Sequence, residues 1–276
     1  MKRTHTHTTL YMRGTHVYIE RWSHTVDQPK GTLLFIHGFL SSSFSFRKLL
    51  PLMPTNYELI CIDLPGFGRS GKQKSFCYEC KNYAQLVAEV ITLYNLKNVT
   101  IIGHSMGGQV ALNTARYSSE LVDSLVLLSA SAYFHRVKKI YSYASYIPFF
   151  PTLLYTWGSR KNCETYIEQL MYKKHSVSDE MVQQYGRPLK EKAFYESIMY
   201  LMRQREGDMS SEDMQKITQK CLIIWGDQDP LIPVSTGYKL KQDLQNAALV
   251  VLSHTGHLIP EEQPKKAAKI IRRFLT

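Results

Sequence analysis

The sequence lacks the features of an exported or membrane-spanning chain. Its first residues, MKRTHTHTTLYMRG, contain no apolar stretch of the kind that a secretory signal requires. The longest run without a charged residue, residues 140–159, contains Pro148 and Pro151 and many hydroxyl-bearing side chains, so it does not predict a membrane-spanning helix. We therefore expect a cytoplasmic protein without stable membrane insertion.

Long runs of one charge are also absent. The formal net charge is +11, but no basic run exceeds two residues, and the positive excess is divided among residues 1–129, 130–212 and 213–276. A protein that binds nucleic acid more often concentrates its positive charge on one helix or face. The distribution favours a small-molecule substrate over nucleic acid, and it indicates nothing about the oligomeric state.

Cysteines are few and odd in number. Five cysteines without an export signal indicate free thiols. Cys77 and Cys80 have the spacing of a redox or zinc-binding pair, but no second pair and no thioredoxin-like unit accompany them. We interpret this pair as incidental and predict neither a metal nor an organic cofactor.

Short apolar runs alternate with helix-like segments. Continuous runs rich in Val, Ile and Leu are typical of strands buried on both faces of a parallel sheet. They occupy residues 31–37, 59–63, 99–103, 124–129, 221–225 and 248–252. Earlier runs around residues 10–12 and 17–21 predict an antiparallel edge hairpin, and a last helix is predicted at 264–274. This alternation predicts an α/β fold with a mostly parallel sheet.

The alternation stops over residues 132–212. This segment has no comparable strand-like run and contains nearly half of the aromatic residues of the chain. We predict a helical insertion at 132–212 between two parts of one core, residues 1–131 and 213–276. Because about 80 residues cannot bury so many rings internally, we expect some of them to face a cavity shared with the sheet.

A serine lies between glycines directly after one predicted strand. The stretch IIGHSMGGQV contains Gly103-His104-Ser105-Met106-Gly107, which fits the pattern Gly-x-Ser-x-Gly. This pattern marks a sharp turn from a strand into a helix with the serine exposed at its tip. Five residues can also match by chance in a surface loop, so the prediction depends on partners elsewhere.

Candidate partners follow the last two predicted strands. Serine becomes a strong nucleophile when a base takes its proton and a carboxylate orients that base. Asp227 and Asp229 follow residues 221–225, and His254 and His257 follow residues 248–252. Because sites in open α/β sheets lie at the carboxyl ends of the strands, one acid and one histidine from these pairs are candidates.

Five stretches together resemble the α/β-hydrolase superfamily. They are HGF at 37–39, DLPGFGRS at 63–70, GHSMGG at 103–108, WGDQDPLIP at 225–233 and HTGHLIPEEQP at 254–264. The resemblance covers nearly the whole chain. It implies the α/β-hydrolase fold, a mostly parallel eight-stranded sheet flanked by helices, with residues 132–212 as an inserted helical cap.

The resemblance also implies roles for single residues. Ser105 is the implied nucleophile, His257 the general base and Asp229 the residue that orients it, whereas Asp227 and His254 do not match the family pattern. The implied oxyanion donors are the backbone N–H groups of Phe39 and Met106.

A serine at this position implies an acyl-enzyme, which suits esters, thioesters, lactones or amides, and we expect a carboxylic ester. The aromatic composition of residues 132–212 predicts a small to medium apolar acyl or aromatic group. The open alternatives are a carbon–carbon bond hydrolase, an elimination enzyme of menaquinone synthesis, a perhydrolase, and a signalling protein that keeps the triad as a receptor.

Overall fold

A computed structural model describes residues 3–23, 29–134, 146–147, 149–158 and 162–276. Eight strands form one sheet in the order β1-β2-β4-β3-β5-β6-β7-β8. The strands are β1 (His5–Met12), β2 (Thr15–Trp22), β3 (Gly31–Ile36), β4 (Tyr57–Ile62), β5 (Val99–His104), β6 (Ser124–Leu128), β7 (Lys220–Gly226) and β8 (Ala247–Leu252). β1 and β2 pair as an antiparallel hairpin, β2 joins β4 antiparallel, and the other pairings are parallel. The predicted fold class is confirmed.

Burial explains why the apolar runs become central strands. Every residue of β3, β4, β5 and β6 is buried, as expected for strands covered on both faces. β1, at the edge of the sheet, has no fully buried residue. The central strands therefore form a rigid support, and their carboxyl ends lie together at one edge of the sheet.

Helices cover the two faces. The helices outside residues 132–214 are α1 (Cys80–Leu93), α2 (Met106–Tyr117), α8 (Val234–Asp243), α9 (Ile259–Glu262) and α10 (Pro264–Phe274). α1 and α2 pack into one apolar cluster with alternate sheet residues such as Ile36 and Ile101. α10 packs on the opposite face with Phe35 and Ile102.

A distant residue sets the start of the first helix. α1 starts at Cys80. The carboxylate of Glu206 accepts hydrogen bonds from the backbone N–H of Cys80 at 3.1 Å and of Lys81 at 3.3 Å. Because an acceptor from a distant part of the chain satisfies the first N–H groups, no local sequence signal marks this start.

Between β6 and β7 the described residues form helices and no strand. These helices are α3 (Phe150–Gly158), α4 (Cys163–Leu170), α5 (Asp179–Gly186), α6 (Lys192–Gln204) and α7 (Ser211–Met214). Phe194 and Tyr195 of α6 join the main apolar cluster of the sheet. The described residues between 132 and 212 are called the helical segment below. Among the described residues of the whole chain, none of the helices has the length and apolar character to span a membrane.

Candidate active site

Ser105 lies in a strained turn between β5 and α2. Its φ of 52° and ψ of −120° are outside the ranges that a non-glycine residue ordinarily adopts. The backbone N–H of Ser105 donates to Leu128 O at 3.0 Å, and its carbonyl accepts from Gly108 N and Ser131 N, each at 2.9 Å. These bonds hold the turn in its strained form.

Two glycines make this turn possible. A Cβ on Gly103 would lie 2.4 Å from Gly107 O, and a Cβ on Gly107 would lie 2.1 Å from Ile36 O. Both distances are far below van der Waals contact with backbone atoms. The Gly-x-Ser-x-Gly spacing therefore reflects the tight packing of the turn against β3.

The structure brings Ser105, His257 and Asp229 into one hydrogen-bonded series. Nε2 of His257 lies 3.0 Å from Oγ of Ser105, and Nδ1 lies 2.8 Å from Oδ2 of Asp229. Asp229 follows β7 and His257 follows β8, so both side chains start from the strand ends that the sequence indicates. The three side chains have the geometry of a nucleophile, a base and an orienting acid.

Asp229 is held as a carboxylate. Its Oδ1 accepts from the backbone N–H of Leu231 and of Ile232, each at 2.9 Å. Burial acts to raise the pKa of Asp229, but the bonds from His257 and from these N–H groups outweigh it and lower the pKa below its usual range. An ionised Asp229 can therefore fix the Nδ1–H tautomer of His257.

The competing residues have other contacts. Oδ1 of Asp227 accepts from Thr255 N at 3.2 Å, which supports the loop before the histidine. His254 is exposed and packs edge-to-face against Tyr172, with 5.3 Å between ring centroids. Neither side chain belongs to the series that Ser105 forms.

The two expected oxyanion donors flank Ser105. Met106 is the first residue of α2, where a backbone N–H has no acceptor within the helix. Phe39 follows Gly38, and a Cβ on Gly38 would lie 3.0 Å from Cβ of Ser105, so the two loops are in direct contact. Both N–H groups come from segments that border the serine.

Two buried residues near the strand ends serve the structure of the loops. Nε2 of His37 accepts from Leu64 N at 2.9 Å, and its Nδ1 lies 2.7 Å from Gly38 O. Asp63 accepts from Ser43 N at 2.7 Å and from Arg69 N at 2.8 Å. Since these bonds occupy the polar atoms, His37 and Asp63 fix the loops around the site.

His104 also contacts the site, although no pattern in the sequence marks it. Its Nε2 lies 2.9 Å from the backbone oxygen of His257, and its Nδ1 has no partner among the described residues. Burial, together with the neighbouring His257, lowers the pKa of His104 to about 3. A neutral His104 therefore donates its Nε2–H to the carbonyl of His257.

Asp208 ties the helical segment to the serine turn, and no sequence pattern singles it out. Its buried carboxylate accepts from Phe134 N at 3.1 Å and from Arg205 Nη2 at 2.7 Å. It also accepts from Gln109 on α2. One side chain thus joins the start and the end of the helical segment to the helix that follows Ser105.

A cavity of about 740 Å³ lies beside the site rather than in it. Its wall includes the loop from Ser41 to Phe44, the end of β2 and residues of the helical segment such as Glu180 and Arg187. None of its described lining residues is Ser105, Asp229 or His257. We therefore do not assign this cavity as the binding site for the acyl group of a substrate.

A sequence model of the alpha/beta hydrolase fold family matches residues 31–264. This chain belongs to the alpha/beta hydrolase fold family. The uncharacterized hydrolase YugF of Bacillus subtilis (strain 168) is 36% identical over 262 residues, covering 95% of each chain. The monoacylglycerol lipase ABHD6 of Mus musculus is 27% identical, covering 89% of this chain and 76% of the relative.

Solved structures of the alpha/beta hydrolase fold agree with this membership. A putative lipase (lip1) from Acinetobacter baumannii AYE superposes with a TM-score of 0.79 at 25% identity. The match covers 98% of this chain and 91% of that lipase. The protein is therefore a hydrolase by family, and the bond it cleaves has to be inferred from its site.

Proposed function

We propose that this protein is a serine hydrolase that cleaves a carboxylic ester through an acyl-enzyme. The observation that carries the proposal is the series Ser105–His257–Asp229, with distances of 3.0 and 2.8 Å. The similarity to a monoacylglycerol lipase supports an ester as the substrate class.

The proposed reaction begins with proton transfer from Oγ of Ser105 to Nε2 of His257. Oγ then attacks the carbonyl carbon, and the imidazolium of His257 protonates the departing alcohol oxygen. Water, deprotonated by the same histidine, attacks the acyl-enzyme and releases the acid and Ser105. Asp229 stabilises the imidazolium in both halves of the cycle.

The negative oxygen of each tetrahedral intermediate needs donors that are in place beforehand. We assign this role to the backbone N–H groups of Phe39 and Met106. Loss of one such donor typically costs about 3 kcal/mol of transition-state stabilisation.

We also propose that the helical segment acts as a cap over the site and selects apolar substrates. Phe39 packs edge-to-face on Phe67, with 5.5 Å between ring centroids, and Phe67 packs on Phe194 of α6 at 6.2 Å. Aromatic rings therefore connect the proposed oxyanion loop to the helical segment. Such a surface suits an apolar acyl or aromatic group.

A panel of 4-nitrophenyl esters of increasing acyl length tests the reaction class. We expect turnover of medium-length esters and a decrease of about 10⁴-fold in kcat/KM for Ser105→Ala. A matched 4-nitroanilide and a vinylogous 1,5-diketone serve as amide and carbon–carbon substrates.

Full ester turnover in Ser105→Ala would exclude the mechanism. Preferred cleavage of the diketone by the wild-type protein would replace the ester by a carbon–carbon bond as the substrate.

A further inference from the structure

The backbone of His257 is held from two sides. Its carbonyl accepts the Nε2–H of His104 on β5, at 2.9 Å. Its N–H donates to the carbonyl of Leu170, the last residue of α4, at 2.8 Å. The proposed base is thus attached to the core through one peptide group and to the helical segment through the other.

Glu262 on α9 strengthens the second attachment. Its Oε1 accepts from Gly256 N at 3.0 Å, and its Oε2 accepts from Tyr172 N at 2.8 Å. Gly256 precedes His257, and Tyr172 lies two residues beyond the end of α4. Residues 253–258, between β8 and α9, are called the histidine loop. One carboxylate therefore joins the histidine loop to the connection after α4.

The backbone of the histidine loop is also in direct steric contact with the backbone at the end of α4. A Cβ on Gly256 would lie 2.6 Å from Leu170 O and 2.7 Å from Tyr172 N. Only a glycine permits this approach, so the connection after α4 and the histidine loop cannot slide past each other without breaking the bonds at Leu170 and Glu262.

The environment of Glu262 is unfavourable for a carboxylate. Burial raises the pKa of Glu262 above its usual value, and the N–H groups of Tyr172 and Gly256 oppose that rise. The fold retains a costly charged group at this point, where two N–H groups from separate parts of the chain need an acceptor.

The adjacent carboxylate provides a comparison. Glu261 also links the core to the helical segment, since it accepts from Tyr185 of α5 at 3.1 Å and pairs with Lys48 at 3.0 Å and with Arg47. None of the described side-chain bonds of Glu261 reaches the histidine loop. Both glutamates therefore contact the helical segment. The described side-chain bonds connect Glu262, and not Glu261, to Gly256.

We propose that Glu262 is a positioning residue for the general base. Glu262 joins the helical segment to the histidine loop and so sets the approach of His257 to Ser105. The inference rests on the proposed function of Ser105 and His257. It implies that a shift of the helical segment changes the reactivity of the serine without any change in the triad residues.

Covalent labelling of Ser105 by a fluorophosphonate tests the proposal in the full-length protein, independently of the natural substrate. Glu262→Gln keeps the size of the side chain but offers one oxygen and one NH₂ group to two N–H donors, so one bond is lost. We expect labelling to slow by about 10- to 100-fold, because small displacements of a reacting group have effects of this size.

The kinetic parameters add a readout that loss of stability alone does not produce. We expect kcat for ester turnover to fall with the labelling rate, while KM stays within about twofold, because the proposed role of Glu262 acts through His257 and not on the substrate. The proton NMR signal of the Nδ1–H between His257 and Asp229 should shift or broaden in Glu262→Gln. Glu261→Gln is the matched control, with a lower Tm but an unchanged labelling rate.

Each outcome decides the proposal. Equal labelling of wild type and Glu262→Gln overturns it, as does equal slowing in Glu261→Gln, which indicates general loosening. If Glu262→Gln does not fold, Glu262→Asp, whose shorter side chain cannot span both N–H groups, gives the same test. Absence of labelling in the wild-type protein rejects the proposed function instead, and the NMR signal of His257 then decides the positioning role.

Discussion

Ser105 and His257 are hydrogen-bonded neighbours, yet the chain fixes them by different means. Ser105 is held by backbone bonds to Leu128, Gly108 and Ser131 and by the glycines of its own motif. His257 lies in a loop whose two backbone groups bind separate regions, His104 in the core and Leu170 in the helical segment. The nucleophile is thus fixed within the core, and the proposed base is fixed across the boundary between the core and the helical segment.

The largest expected effect concerns the acid that orients His257. Asp229→Asn should lower kcat/KM by about 10⁴-fold, because the amide favours the wrong tautomer of the imidazole. Asp227→Asn is the matched control, because the described bond of the Asp227 side chain goes to Thr255 N, outside the series that Ser105 forms, and its kcat/KM should stay within about tenfold. Steady-state kinetics on one ester measures both variants.

The reverse order of these two effects would contradict the assignment. It would mean that Asp227 orients the base and that the site rearranges before reaction.

A smaller effect is expected for His104, the core residue that binds the backbone carbonyl of His257. His104 has a pKa of about 3 in the folded protein against 6.5 for the free side chain. Between these values the unfolded state binds a proton that the folded state excludes, so stability falls as pH decreases from 6.5 toward 3. The decrease for one such group is about 1.4 kcal/mol per pH unit.

His104→Gln should therefore flatten the dependence of stability on pH. Urea unfolding at pH 7.0 and pH 5.0 measures it, with His254→Gln as a control that removes an exposed histidine. An identical pH dependence in wild type and His104→Gln would contradict this, because it would mean that His104 binds its proton equally well in the folded and unfolded states.

Signals confined to short stretches of the sequence explain which parts of the fold and the site can be predicted. The strands can be predicted because continuous runs of Val, Ile and Leu are typical of strands buried on both faces. Ser105 can be predicted because the glycines that its turn requires lie within the same five residues. Asp229 and His257 follow from their place after strands and from the family resemblance. Each of these signals is local to the residues concerned.

The contacts that complete the site are not local. Glu262 and Tyr172 are 90 positions apart, and Gln109 and Asp208 are 99 positions apart. The same holds for Glu206, which sets the start of α1 from 126 positions away. No spacing or periodicity links such pairs, because a single contact between distant residues leaves no repeated pattern in the sequence.

The most direct test of the central claim is mass spectrometry of the protein quenched in acid during turnover of a 4-nitrophenyl ester. We expect the peptide containing Ser105 to gain the mass of the acyl group at a rate at least equal to kcat, and we expect His257→Ala to abolish this gain. Ester turnover with no acyl group on Ser105 would contradict the claim.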